Sequence, residues 1–228
     1  MRLFIRNIGY QCRIGSSALL AEATLATLMF MGNHLFMHYL GEHGVGAFGI
    51  ACYYTPFVFM VGNAIAQSAQ PIISYNFGAG CRQRVQKTIR IALLTAVLCG
   101  AAVTSLFVCI PHLLVGLFIS PNDPTFAIAP SGFPYYAAGF IFFILNLTTI
   151  GYYQSLERVG PATLLALLRG FFFLIPAFLL LPRWLDTPGI WLALSCSELL
   201  TTLCSLAFYL FRTCDVNSVV PEVSLFSE

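Results

Sequence analysis

Six long apolar runs follow one another along this chain, at about residues 14–40, 45–75, 89–117, 133–155, 162–181 and 190–210. Each can supply a helix that crosses a hydrocarbon layer ~30 Å thick, which takes about 20 residues at 1.5 Å each. The breaks between them read GEHG, NFGAGCRQRVQK, SPNDP, ERVGP and PRWLDTPG, where glycine, proline and charge collect. Of the 228 residues 58% are hydrophobic and only 9% charged, whereas a water-facing domain carries roughly a quarter charged residues. Lipid is therefore the expected solvent, and the expected class is an all-α membrane protein with six transmembrane helices.

Charge matters by position. The net charge of +2 gives no reason to expect a nucleic-acid partner. Arg2, Arg6 and Arg13 precede the first run, Arg82, Arg84, Lys87 and Arg90 follow the second, Arg158 follows the fourth and Arg212 the sixth. Threaded through six spans, all nine fall on one side, against Arg183 alone on the other and Arg169 within the fifth run. The positive-inside rule then places both termini in the cytoplasm of a plasma membrane. The opening MRLFIRNIGYQCRIG leads into an apolar run of about 25 residues without a small-residue cleavage site, so it is expected to stay as the first span. Residues 1–213 are expected to form the membrane unit and 214–228 a short cytoplasmic tail.

Several chemistries find no support. The eight cysteines are scattered without a CxxC pair, which argues against a disulfide framework or a zinc site. His34 and His38 stand four apart, but the chain has only four histidines, too few for a clustered metal centre. No GxSxG motif or paired catalytic carboxylates suggest an enzyme, and no cofactor is implied.

The polar residues inside the runs carry the functional reading, because each is costly against lipid. Glu22, Ala26, Met29 and Asn33 share one helical face. A carboxylate there reads as a cation or proton site, with Asn33 beside it, or else as a buried, hydrogen-bonded neutral acid. Arg169 and Glu198 both approach mid-membrane on neighbouring runs and can form a structural ion pair, or Glu198 can line a path. Tyr135, Gly139, Phe142, Asn146, Thr149 and Tyr153 recur at 3–4 spacing. Such a stripe, with Met29 of the Glu22 face as a further substrate-cavity candidate, suits a cationic ligand or simple helix packing. In IAQSAQPIISYNFGAG, residues Gln67, Gln70, Pro71 and Asn76 form a polar knot at the end of the second run. It reads as a cytoplasmic gate or as an ordinary helix end, since Pro71 removes a helix donor that neighbouring amides can offset.

QPIISYNFGAG with its basic sequel, VGAFGIACYY and GIWLALSCSELLTT together resemble the MATE (multidrug and toxic compound extrusion) transporters, most closely the MepA-like bacterial branch. The resemblance implies the C-terminal six-helix lobe of a twelve-helix exporter in a bacterial inner membrane. Its activity would be export of lipophilic or cationic drugs in exchange for H+ or Na+. LLAEATL resembles the segment of the seventh helix that carries a cation-binding glutamate, and Glu22 falls on it. A second acid found on the tenth helix of NorM-like members has no counterpart in GFIFFILNL, where Phe143 and Asn146 stand. The expected partners are a missing N-terminal lobe or a second copy. The alternatives are a lipid-linked oligosaccharide flippase, which would need a basic cavity, and a membrane partner or remnant that carries no flux.

Overall fold

A computed structural model describes residues 5–216, and the proposed tail beyond residue 216 lies outside the described residues. The described residues form helices and no strand: α1 (Ile5–Gly78), α2 (Arg82–Cys109), α3 (Pro111–Gly116), α4 (Thr125–Ala137), α5 (Phe140–Ser155), α6 (Val159–Leu167), a π-helical turn (Leu168–Phe172) and α7 (Leu174–Val216). Three stretches are long and apolar enough to cross a membrane, Ala18–Gly78, Arg82–Cys109 and Val159–Phe208, and the bent pair α4/α5 makes a fourth if taken as one span.

The longest helices are folded back at single residues. In α1 the chain breaks inside GEHG at Gly41, with φ 66° and ψ −157°, a conformation that a side chain would strain. Two arms result, 5–40 and 42–78. The turn is clamped by aromatic rings from both arms: Phe36 stacks on Phe48 at 4.7 Å, and Trp191 meets Phe36 edge-on at 4.7 Å. In α7 the break is at Asp186, with φ 51° and ψ −133°, inside PRWLDTPG. Just beyond, Gly189 packs so closely on the Leu181 carbonyl that a Cβ would lie 2.4 Å from its oxygen.

The third run, expected to extend through residue 117, is divided. Its helix stops at Cys109, and Ile110 takes φ −130°, ψ 44° before Pro111 starts α3. A residue preceding proline is pushed out of the helical region, which explains the stop. The fourth run bends by 46° between α4 and α5. Side chains from other helices satisfy the carbonyls freed at the bend. Ser195 donates to Tyr135 O at 2.7 Å and Tyr136 O at 3.2 Å, and Thr104 donates to Ala137 O at 3.0 Å. Such irregularity is tolerated at membrane depth only when it is buried in protein.

Helix α5 lies at the centre, and small residues let its neighbours approach, as is common among membrane helices. A Cβ on Gly100 of α2 would lie 2.8 Å from the Ile141 Cα, and one on Gly151 of α5 would lie 2.6 Å from the Ala66 Cβ. The buried aromatics Phe107, Phe133, Phe140 and Tyr136 continue the cluster of Phe36, Phe48 and Trp191 at the end nearer the Gly41 turn. The core is therefore aromatic at that end and glycine–alanine packed along α5.

Candidate functional site

Among the described residues, polar groups gather most densely at two places inside this apolar bundle. The first is a cavity of about 520 Å³ walled by both arms of α1 and by α5. Three helical faces converge on it. The first arm brings Ala18, Ala21 and Glu22; the second brings Phe59, Asn63, Gln67 and Gln70 at 3–4 spacing; α5 brings Leu147, Gly151 and Gln154 at the same spacing. Among the described residues the outcome is one carboxylate facing four carboxamides, with Phe59 as the one ring in the lining. Carboxylate and amide oxygens are hard acceptors, and the amide nitrogens are donors. Such a set can hold a monovalent or ammonium cation or a proton, and can hydrogen-bond a polar ligand beside it. Among the described residues of the lining none is basic.

The second feature is a buried network around Arg169 and Glu198, both fully buried. Arg169 Nη2 donates to Glu198 Oε1 at 2.7 Å and its Nε at 3.1 Å. Asn146 Nδ2 donates to the other carboxylate oxygen at 2.7 Å and to the Glu198 carbonyl at 3.0 Å. Thr202 donates to Asn146 Oδ1 at 3.0 Å, and Ser197 donates to the Arg169 carbonyl at 2.7 Å. The guanidinium also sits over the Phe143 ring, 4.4 Å from its centroid. The local backbone delivers Arg169 to this place. Phe173 N donates to Leu168 O at 2.9 Å, an i to i−5 bond, before Ala177 N returns to the α pattern with Phe173 O. Opposite that π turn, Gly170 packs directly on Thr24 of α1.

The structure thus gathers Glu22, Gln67 and Gln70 in one cavity, although the sequence assigns them to a cation site and a separate gate. Pro71 stays inside a continuous helix. The Asn76 amide donates to Ile72 O at 2.8 Å rather than to the carbonyl that Pro71 leaves, and the helix ends at Gly78, followed by a turn in which Gly80 takes φ 73°. Asn33 and Met29 do not reach the cavity. Asn33 stands eleven residues beyond Glu22, ~16 Å along the helix axis. The aromatic stripe does not line it either: Tyr135 is exposed, Phe142 half-buried, Tyr153 buried against α6 and Asn146 tied to Glu198. The bend at Gly139 puts Tyr135 and the remaining stripe on different axes, so the 3–4 spacing does not make one face. The lining adds Asn63 and Gln154, and the sequence signal that finds Asn63 is its place four residues before Gln67. Among the described residues no group of three or more His, Cys, Asp and Glu side chains could hold a metal ion.

The MatE family model matches residues 18–179, most of the chain. This chain belongs to the MatE family. Solved MATE structures share its fold. The MATE multidrug transporter DinF-BH, in complex with R6G, is 25% identical with a TM-score of 0.76, over 93% of this chain and 47% of that one. An outward-facing multidrug resistance MATE family transporter of the MOP superfamily is 14% identical, TM-score 0.80, over 91% and 47%. An inward-facing one is 13% identical, TM-score 0.79, over 97% and 51%. The chain spans about half the length of the solved structures it matches. No curated protein sequence matches it. As a MatE-family chain with several long apolar helices, it is a multi-pass membrane protein.

Proposed function

We propose that this chain is one six-span lobe of an ion-coupled drug exporter, corresponding to the C-terminal half of a MATE transporter. The observation that carries the reading is the cavity in which Glu22 faces Asn63, Gln67, Gln70 and Gln154. A lone intramembrane carboxylate on a polar cavity is a functional site by default. In the proposed cycle H+ or Na+ occupies Glu22 from the outer side and displaces a cationic substrate held by the same carboxylate and the surrounding amides. The loaded lobe then rocks between inward and outward access. Similar fold agreement with an outward-facing and an inward-facing MATE transporter, at TM-scores of 0.80 and 0.79, supports a lobe that moves as a unit. In this reading the chain crosses a bacterial inner membrane six times with both termini in the cytoplasm, and the basic segment around residues 82–90 supports that orientation through the positive-inside rule. A second lobe, from another chain or a second copy of this one, completes the path; two parallel six-span units related by an axis along the membrane normal are a common transporter plan.

The flippase reading needs a cationic cavity for an anionic lipid-linked sugar. Arg169 is instead closed onto Glu198 away from the lining, which favours cation export.

The test is ethidium efflux from a drug-sensitive bacterial strain expressing this chain beside its Glu22→Gln variant, with membrane insertion measured for both. Efflux that depends on Glu22 supports a working antiporter. Full efflux in the variant refutes the role of Glu22. Two inserted proteins that move no dye point to a lobe that works only with its counterpart.

A further inference from the structure

A second hollow lies on the opposite face of the second arm of α1, in the seam with α2. It measures about 410 Å³ and is lined by Ala64, Ile65, Ser68 and Ile72 of α1 and by Thr88, Ile91 and Thr95 of α2, among others. From residue 64 to residue 72 it runs ~12 Å along the helix. That is close to the ~15 Å depth of one leaflet's hydrocarbon. Three of its residues carry hydroxyls, and each hydroxyl donates to its own helix: Ser68 to Ala64 O at 2.7 Å, Thr88 to Arg84 O at 2.9 Å and Thr95 to Ile91 O at 2.9 Å. The groove therefore presents methyl groups and no spare donor, which suits an alkyl chain rather than a polar solute.

Its mouth is different. Four residues before Thr88, one turn nearer the start of α2, stands Arg84 on the groove face, and Lys87 stands beside it, four before Ile91. Arg82 and Arg90 complete a cluster of four exposed cations within nine residues. No acid lies in the first turn of α2, and among the described residues none of the four cations forms an ion pair. Helical side chains lean toward the N-terminus, so Arg84 leans away from the groove toward the membrane surface, where lipid phosphates lie.

We infer that this seam is a binding site for one anionic phospholipid, with an acyl chain in the groove between α1 and α2 and the phosphate at Arg84 and Lys87. Charge complementarity selects the occupant: the apolar channel takes any lipid tail, and the unpaired cations at its mouth select a lipid with net negative charge. Basic pockets between helices on the cytoplasmic side are recognised anchors for such headgroups.

The test uses the purified full chain in neutral detergent, titrated with phosphatidylglycerol or phosphatidylcholine and read by native mass spectrometry for lipid held per protein. The expected result is one phosphatidylglycerol retained in preference to phosphatidylcholine. Arg84→Gln with Lys87→Gln should weaken it by about twenty-fivefold, from about fivefold per surface cation. Ser68→Phe keeps every charge and fills the exposed groove, and it should abolish the one-to-one retention; Thr95→Phe fills the opposite wall and serves if the first variant fails to fold. Equal retention of both lipids, or unchanged phosphatidylglycerol retention in a folded groove-filled variant, overturns the site and leaves only diffuse surface electrostatics.

Discussion

Removing one member of the Arg169–Glu198 pair should damage the protein far more than removing both. In Arg169→Leu the Glu198 carboxylate stays fully buried and keeps only the Asn146 amide, 2.7 Å away, as a side-chain donor. Breaking a buried pair in this way costs about 3–5 kcal/mol, because an uncompensated charge is left behind. The variant also forfeits the guanidinium–Phe143 contact, worth up to ~2 kcal/mol in a dry site. In Glu198→Gln the amide oxygen can still accept from Arg169, but the cation loses its counter-charge, so a similar penalty is expected. The double variant Arg169→Leu with Glu198→Leu removes both charges, and replacing a buried pair by apolar groups is often neutral or stabilising. Its remaining defect is the lost carboxylate acceptor of the Asn146 amide, at most about 1–3 kcal/mol, because Asn146 keeps the backbone carbonyl of residue 198 and the Thr202 hydroxyl. The assay is thermal unfolding of the purified protein in detergent, with all four proteins arranged as a double-mutant cycle. At about 2–4 °C per kcal/mol for a chain of this size, each single variant should melt ~6–20 °C lower and the double should recover most of that loss. Singles within about 0.5 kcal/mol of the parent, or a double as impaired as the sum of the singles, would refute the network as a coupled unit.

The helix seam at Gly100 gives a packing test: Gly100→Val forces a side chain onto the Ile141 backbone and should cost about 1–3 kcal/mol or more, while Gly49→Ala, which meets open space, should be near neutral in the same melt. In the loop before α4, Asp123 Oδ1 accepts the Thr125 N–H at 2.8 Å, and hydrogen bonds from Thr125 hold its carboxyl below the usual carboxylate range. A group with a lowered folded value stabilises above its ordinary value and stops doing so as the pH falls through the lower folded value. Melting compared between the parent and Asp123→Ala should therefore show a gap at neutral pH that closes on acidification, and a gap constant with pH would contradict the hydrogen bond's role.

What the sequence made legible follows from how locally each signal is encoded. Apolar length needs only counting, so the helical runs and the breaks at GEHG and PRWLDTPG could be anticipated, and the chain turns at Gly41 and Asp186 inside them. The meeting of Glu22 with Gln67 and Gln70 could not, because it depends on how sharply the two arms of α1 fold back and on where α5 crosses them. The aromatic stripe failed as a guide for a related reason. Periodicity assumes one straight axis, and the bend beside Gly139 is held by Ser195 and Thr104, which lie far away in sequence. Asn146 shows the limit most plainly. Its neighbours on the helix suggest a ligand wall, yet its amide faces Glu198, fifty-two residues later.

The wide turn at Leu168–Phe172 changes how this stretch of chain can be aligned and edited. A π turn is an α-helix holding one residue too many, so the segments before and after it are out of phase by about 100°. A helical-wheel drawing carried across residue 168 would misplace every later side chain on that segment. Deleting a single residue there would restore a uniform helix and swing Arg169 off the face that now meets Glu198, without altering any of the side chains involved. In gene terms, one codon sets the angular register of the arginine.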